Sequence, residues 1–363
     1  MKKAIAILSF VLTLAVGATA QKQTPAQHQH DLYRQATDLY QKQKYAAAQE
    51  IYDRIANGQS ARTDQTTADA HYFAAVCSEK LDNDDAFFRL EEFLRLYPQS
   101  GRCNMARFYL GNFYYTRADY GRALTYYRAV DAKEVEYNHR SEYNFKMGYC
   151  LFQLGDYAKA SQLFAQQIGG QSKYQASSLY YYAHIQYVNG QYELALKNFK
   201  ELEKDRKFAK IVPSYLARIY YYLGREEELL EMAPRLINDK NTFKREEIYQ
   251  MIGETYFNRG QYAQAIEQYR MVETHSDAQG KTCTPHDNDY QMGYSYYMLH
   301  QYDSAARYLE RKTNCDDSVA QNATYTLADC YIHLGKNYDA RSMFLQASKV
   351  GINNKIKEDA LFN

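Results

Sequence analysis

The chain has 363 residues, of which 24% are charged and 46% apolar, and a formal net charge of +1. This is the composition of a soluble chain with enough apolar content for a core, and its near-zero charge argues against nucleic acid as a partner. Tyr occurs 39 times and Trp never, so whatever aromatic packing or recognition the chain uses rests mainly on phenol rings.

The first twenty residues read as a secretory signal. Lys2 and Lys3 precede an apolar run from Ala4 to Val16, and Gly17-Ala18-Thr19-Ala20 ends it with an Ala-x-Ala cleavage site. A run of 13 residues is too short to cross a bilayer, which needs about 20, so no integral span is expected after cleavage. The nearest Cys is Cys77, which argues against a lipoprotein anchor. Loss of Lys2 and Lys3 takes the net charge from +1 to −1. Residues 21–30 are polar and without period, and we expect a flexible mature N-terminus there.

From Asp31 to the end the sequence repeats. Small residues recur at Ala36, Ala74, Gly111, Gly148, Ala183, Ala217, Gly253, Gly293 and Ala328, at intervals of 34 to 40 residues. Twelve residues after each comes Ala48, Ala86, Ala123, Ala160, Ala195, Leu229, Ala265, Ala305 or Ala340. Four further on stands a large residue, from Tyr52 and Leu90 through to Phe344, with Ala233 the exception. Gly155, Gly190, Gly224, Gly260 and Gly335 mark tight turns, and Tyr45, Tyr120, Tyr157, Tyr192, Tyr262 and Tyr302 open the segment that follows. The spacing predicts pairs of short amphipathic helices whose axes approach where the small residues meet.

This pattern resembles the tetratricopeptide repeat family. Leu110-Gly111-x-x-Tyr114, Met251-Ile252-Gly253-x-x-Tyr256 and Met292-Gly293-x-x-Tyr296 carry the resemblance most clearly, over about residues 31–350. The family's Trp is absent, and only Pro98 matches its closing Pro. The resemblance implies an all-α, right-handed superhelical solenoid of about nine repeats, residues 31–363, with the last repeat incomplete. It also resembles large exported repeat proteins of Bacteroidetes-type bacteria, implying the periplasm or cell envelope of a Gram-negative cell. The sixth repeat is degenerate: Glu226-Glu227-Glu228 replaces the turn Tyr, Leu229 the small Ala, and Pro234 falls inside the second helix. An interior Pro costs about 3 kcal/mol, so we expect a bend there that divides the array. At the far end, Lys355–Asn363 reads as a first helix without its second. An array normally closes with a polar outer face, so a longer chain is expected.

No catalytic motif is present: neither a Gly-x-Ser-x-Gly elbow nor His-Glu-x-x-His, Cys-x-x-Cys, a phosphate loop or a dinucleotide fingerprint. The expectation is no enzyme, no cofactor and no metal. His275, Cys283 and His286 cluster in a long connection, but without the spacing of a zinc site. Cys283 and Cys315 lie in consecutive connections; they are either bridged or free.

In the resembled family one side of the first helix lines a concave groove. Here that side carries Tyr115, Phe152, Tyr187, Tyr221, Phe257 and Tyr297, with Tyr40 and Ile332 in register and Ser78 breaking the series. A turn earlier the residues vary, as Asn112, Tyr149, His184, Arg218, Glu254, Tyr294 and Asp329. Aromatic platforms beside a changing polar set suit a protein or peptide ligand; equally, the rings are placed to wedge adjacent first helices. The expected function is a non-catalytic scaffold or adaptor of the cell envelope, with Tyr115, Phe152, Tyr187, Tyr221, Phe257, Tyr297, His184 and Arg218 on its groove. The alternatives are a targeting or regulatory arm for a catalytic or cell-wall-binding module beyond Asn363, and carbohydrate binding on tyrosine faces.

Overall fold

The computed structural model describes residues 24–58, 64–240, 242–276, 288–313, 318–350 and 352–362, and every regular element among them is a helix. The organising step is a turn on one left-handed residue. Gln43, Asp82, Ala118, Gly155, Gly190, Gly224, Gly260, His300 and Gly335 all have φ between 56 and 82°. The amide after each donates to a carbonyl five residues back, as from Asp119 to Tyr114 (3.0 Å), Asp156 to Leu151 (2.9 Å) and Arg225 to Tyr220 (2.8 Å). This 6→1 closure satisfies a carbonyl that a helix end would leave bare. Nine such turns make nine hairpins.

The chain divides into two compact units, Met1–Leu163 and Phe164–Asn363. In the first unit the helices are α1 (Pro25–Gln41) and α2 (Tyr45–Ala56), α3 (Gln65–Lys80) and α4 (Ala86–Leu96), α5 (Cys103–Thr116) and α6 (Tyr120–Arg128), then α7 (Tyr137–Gln153) and α8 (Tyr157–Ala165), within which the division falls. The second unit continues with α9 (Gln175–Val188) and α10 (Tyr192–Leu202), α11 (Val212–Tyr222) and α12 (Glu226–Asn238), α13 (Arg245–Asn258) and α14 (Tyr262–Ser276). After these come α15 (Asp289–Met298) and α16 (Tyr302–Lys312), α17 (Ser318–His333) and α18 (Asn337–Lys349), and finally α19 (Asn354–Phe362).

Packing follows the repeated small residues. The alanines twelve residues on, from Ala48 to Ala340, are all 0% exposed, as is Leu229. Where the first-helix residue is Gly, the partner sits so close that a methyl group would collide. A Cβ on Gly111 would lie 2.4 Å from Tyr127 Cε1, on Gly253 2.8 Å from Tyr269 Cε1, and on Gly293 2.6 Å from Leu309 Cγ and 3.2 Å from the Ala305 carbonyl. The sixth hairpin keeps its core by exchanging sizes. Leu229 fills the usual small site at 0% exposure while Ala233 takes the usual large one at 1%. One core runs from Leu179 to Ile252 across that hairpin. The expected division at the sixth repeat is therefore incorrect: α12 continues through Pro234 to Asn238, and the units part at Leu163 instead.

Residues 24–30 also differ from expectation. Thr24 accepts from the Gln27 amide (3.3 Å), Gln27 Oε1 accepts from the Thr24 amide (3.1 Å), and Pro25 occupies the first helical turn. This capping box starts α1 at Pro25, so residues 25–30 are helix rather than a flexible tail. Residues 1–23, the Cys283–Cys315 question and the side chains of His275 and His286 lie outside the described residues.

Within the first unit α1 packs on α3, α3 on α5, and α5 on α7; in the second, α11 packs on α13, α15 on α17, and α17 on α19. First helices of successive hairpins thus touch directly at these steps. The second helices are tied to their neighbours by ion pairs about one repeat apart, such as Arg235–Glu203 (3.2 Å) and Arg259 with Glu226 and Glu227. Those exposed pairs add little to stability, being screened by water, and they account for the acidic run at the start of α12 as a solvated, paired face.

A candidate binding face on the first helices

All eight residues expected on the groove lie on first helices: Tyr115 on α5, Phe152 on α7, His184 and Tyr187 on α9, Arg218 and Tyr221 on α11, Phe257 on α13, and Tyr297 on α15. The six aromatics are half-buried. Each has edges and neighbours that the turn chemistry supplies. Five residues after every platform but Tyr221 comes the tyrosine that opens the second helix, and the two rings pack against each other; after Tyr221 that place is Glu226. The centroids are 6.1 Å apart for Tyr115–Tyr120, 5.4 Å for Phe152–Tyr157, 5.8 Å for Tyr187–Tyr192, 5.9 Å for Phe257–Tyr262 and 6.0 Å for Tyr297–Tyr302. Tyr40 repeats this with Tyr45 at 5.5 Å.

The second contact reaches into the next repeat. Tyr115 meets Tyr149 at 5.7 Å and Phe257 meets Tyr294 at 5.7 Å. The Tyr297 hydroxyl donates to Asp329 Oδ2 at 2.6 Å, and the Tyr221 hydroxyl donates to Glu254 Oε2. Four of the variable residues, Tyr149, Glu254, Tyr294 and Asp329, are thus partners of the preceding platform. Where a tyrosine hydroxyl needs an acceptor, the next repeat supplies a carboxylate; where a ring edge needs a face, it supplies a tyrosine. Sequence reasoning listed both sets and missed the pairing. Its signal was present, in the spacing of 33 residues from Tyr221 to Glu254 and 32 from Tyr297 to Asp329.

Burial raises the phenol of Tyr187 to about 12, and raises those of Tyr221 and Tyr297 as well, in both cases with a carboxylate neighbour adding to the effect. They remain protonated donors at neutral pH. Asn112 does not belong to the accessible set. It is 0% exposed, and its Oδ1 accepts from Tyr127 Oη (2.8 Å) and Lys146 Nζ (3.0 Å) inside the hairpin core. His184 shares a hydrogen bond with Tyr215 Oη (Nδ1, 2.9 Å), and burial lowers its pKa, which leaves it neutral at pH 7. Arg218 is only 3% exposed, its Cζ lying 5.7 and 5.5 Å from the ring centroids of Tyr215 and Phe243, which stack on each other at 6.4 Å.

The face therefore presents ring edges, phenol oxygens and a few buried charges. No group of three or more His, Cys, Asp or Glu able to hold a metal occurs among the described residues. The described thiols are buried, and burial raises those of Cys77, Cys150 and Cys330 to about 12, which makes them poor nucleophiles.

Nine hairpins among the described residues, each turned on a left-handed residue and eight of them packed through small residues twelve apart, define a helical repeat solenoid of the tetratricopeptide type. Comparison of the fold agrees. The C-terminal part of a TPR repeat-containing protein from Cytophaga hutchinsonii matches over 70% of this chain and 99% of its own, at 15% identity and a TM-score of 0.50. A tetratricopeptide repeat protein from Parabacteroides merdae matches over 72% of this chain and 98% of its own, at 13% identity and a TM-score of 0.44. No family model and no curated protein matches the sequence. No helix among the described residues is long and apolar enough to cross a membrane.

Proposed function

We propose that this protein is a non-catalytic scaffold of the bacterial cell envelope that binds a partner protein or peptide along the layer of first helices. The fold favours protein–protein interaction, because stacked hairpins within a unit expose the same position of successive repeats side by side. The observation that carries the reading is the row of half-buried aromatics on the first helices, each held by a turn tyrosine, by the following repeat, or by both. Rings so held present area to a ligand with little further loss of side-chain freedom, which is what a binding hot spot requires. The basic start, apolar run and Ala-x-Ala step of residues 1–20 support export.

The same contacts also stabilise the stack, so the test must separate binding from folding. Replacing Tyr187 and Tyr221 together by Ala removes two neighbouring platforms, Tyr221 also losing its bond to Glu254. The reading expects capture of the envelope partner to drop at least tenfold while circular dichroism shows a retained helical fold. A large loss of melting temperature with unchanged capture by the folded fraction would assign the rings to packing alone.

A further inference from the structure

Elsewhere in the chain arginines reach carboxylates about one repeat away: Arg89 meets Asp53 at 2.7 Å, Arg117 meets Asp82 at 3.2 Å and Arg235 meets Glu203 at 3.2 Å. Residues 197–210, the end of α10 and its connection to α11, depart from that pattern. Lys197, Lys200, Lys204, Arg206, Lys207 and Lys210 are all exposed there, against three carboxylates. None of the six makes an ion pair among the described residues. Two of the carboxylates are engaged, Glu203 with Arg235 and Asp205 with the Lys207 amide, which donates to its Oδ1 at 2.8 Å; the third, Glu201, is exposed. A local excess of three positive charges remains, on a chain whose total is +1. At about 0.1 M salt, charges more than about 10 Å apart are largely screened from one another, so a partner at this edge meets the excess and not the total.

Ordered backbone displays these cations. The Asp205 amide donates to the Leu202 carbonyl at 3.0 Å, the Phe208 amide to that of Asp205 at 3.0 Å, and the Val212 amide to that of Phe208 at 2.9 Å. Phe208 is 9% exposed and stacks on Tyr180 with centroids 4.9 Å apart. It pins the middle of the connection to the core, while Arg206, Lys207 and Lys210 beside it face water. Phe199 and Leu202 are buried as well, so the stretch offers no large apolar side chain to a partner. It therefore lacks both the anchor of a protein hot spot and the stacking platform of a single-strand site. Five of the six cations are Lys, a hydrated point charge without the planar fork that fits one fixed anion. Such charges suit a fluid array of phosphates.

We propose that residues 197–210 dock the chain on the phosphate layer of an anionic lipid surface. The contact is electrostatic and without insertion, since the apolar residues of the stretch are already committed to the core. This goes beyond the first-helix reading and does not depend on it. The connection joins the end of one hairpin to the start of the next, whereas Tyr187 and Tyr221 stand at the turn ends of α9 and α11. The two contacts use opposite ends of the same hairpins.

The test floats residues 21–363 with vesicles of phosphatidylcholine, alone or with one-third phosphatidylglycerol. The expected result is flotation with the anionic vesicles at low salt, none with the neutral ones, and release in half-molar salt. Each cation at the surface contributes about fivefold in affinity. Lys204→Gln, Arg206→Gln, Lys207→Gln and Lys210→Gln together should thus weaken binding at least a hundredfold. The control Lys44→Gln, Lys133→Gln, Lys349→Gln and Lys357→Gln removes the same charge from exposed sites elsewhere and should change binding less than threefold. Circular dichroism reports whether each variant keeps its helices, and the lipid and salt dependence of the parent decides the matter if one does not. No flotation with anionic vesicles, equal losses in the two variants, or binding that survives half-molar salt would overturn the assignment. So would a parent that ignores vesicles but captures polyglutamate through the same four residues, which would make the partner an acidic protein segment.

Discussion

Replacing Gly111 by Ala separates packing from helix propensity, because the two predict opposite signs. In an unconstrained helix interior this change stabilises by about 0.5–1 kcal/mol. Here the new methyl carbon would stand 2.4, 2.6 and 3.0 Å from three atoms of the Tyr127 ring. The ring has nowhere to go: Tyr127 is 0% exposed, its hydroxyl donates to Asn112 at 2.8 Å, and its carbonyl accepts from Tyr143 Oη at 3.1 Å. Relief requires either separation of α5 from α6 or rotation of the phenol off Asn112. Overpacking of this kind costs about 1–3 kcal/mol, and a buried hydrogen bond lost adds about 1–3 kcal/mol. After the propensity gain, a net destabilisation of about 1–5 kcal/mol remains. Urea denaturation followed by circular dichroism measures it as a lower midpoint. A midpoint equal to or above that of the parent would refute the close approach of the two helices at Gly111.

Three further outcomes follow from the same geometry. Ala118 has φ of 56°, so Ala118→Gly should stabilise by about 1 kcal/mol and Gly155→Ala should destabilise by a similar amount; thermal melts of the pair check the opposite signs. Leu229→Ala should cost about 2–5 kcal/mol by opening a cavity, whereas adding Ala233→Phe should recover part of it by restoring the arrangement of the other hairpins, as read from denaturant midpoints. Burial alone would raise the carboxyl of Glu142, but His139 and the lysines Lys146 and Lys80 hold it down at about 2. Its folded pKa is thus below the ordinary value of 4.5, so the stability it contributes is present above that value and fades as pH falls toward about 2. Glu142→Gln should therefore destabilise by about 2–3 kcal/mol at pH 7 and by little near pH 2. Burial shifts Glu79 in the opposite direction and the Glu142 charge adds to that shift, so the comparison of parent with variant across pH reads the two carboxyls together.

Much of the architecture was legible in the amino-acid order. The small residues twelve apart announced the helix crossings, and the turn glycines and following tyrosines marked where second helices begin. At four turns the left-handed residue is not glycine but Gln43, Asp82, Ala118 or His300; the following tyrosine marks three of them, and only the turn at Asp82 carries neither signal. There the hairpin contacts on both sides outweigh the local preference, as tertiary packing commonly does. The sixth hairpin looked broken because each site was read alone. The exchange of Leu229 for Ala233 preserves the volume between the helices, and only the pair shows it. Pro234 misled for a related reason: the flanking leucines Leu229 and Leu236 are buried, and their packing holds α12 together through it.

On the binding face, sequence spacing correctly gathered the aromatics onto first helices but not their purpose. Asn112 occupies the register of an accessible polar residue and is instead a core acceptor for Tyr127 and Lys146. The distinction depends on which side of a half-turn the amide is drawn to, which a repeat period of 34 to 40 residues does not encode. By contrast, Tyr221 with Glu254 and Tyr297 with Asp329 follow one repeat spacing and were recoverable by comparing each platform with the next repeat rather than with its own.

Site-specific photocrosslinking in cells tests the central claim most directly. A photoreactive aromatic residue at position 187 or 221 reports on the first-helix layer, and one at Leu194, an exposed site on the second helix α10, serves as the control. The account predicts one and the same protein crosslinked from both first-helix positions and not from Leu194. Adducts of equal yield from all three positions, or none from the first helices, would contradict it.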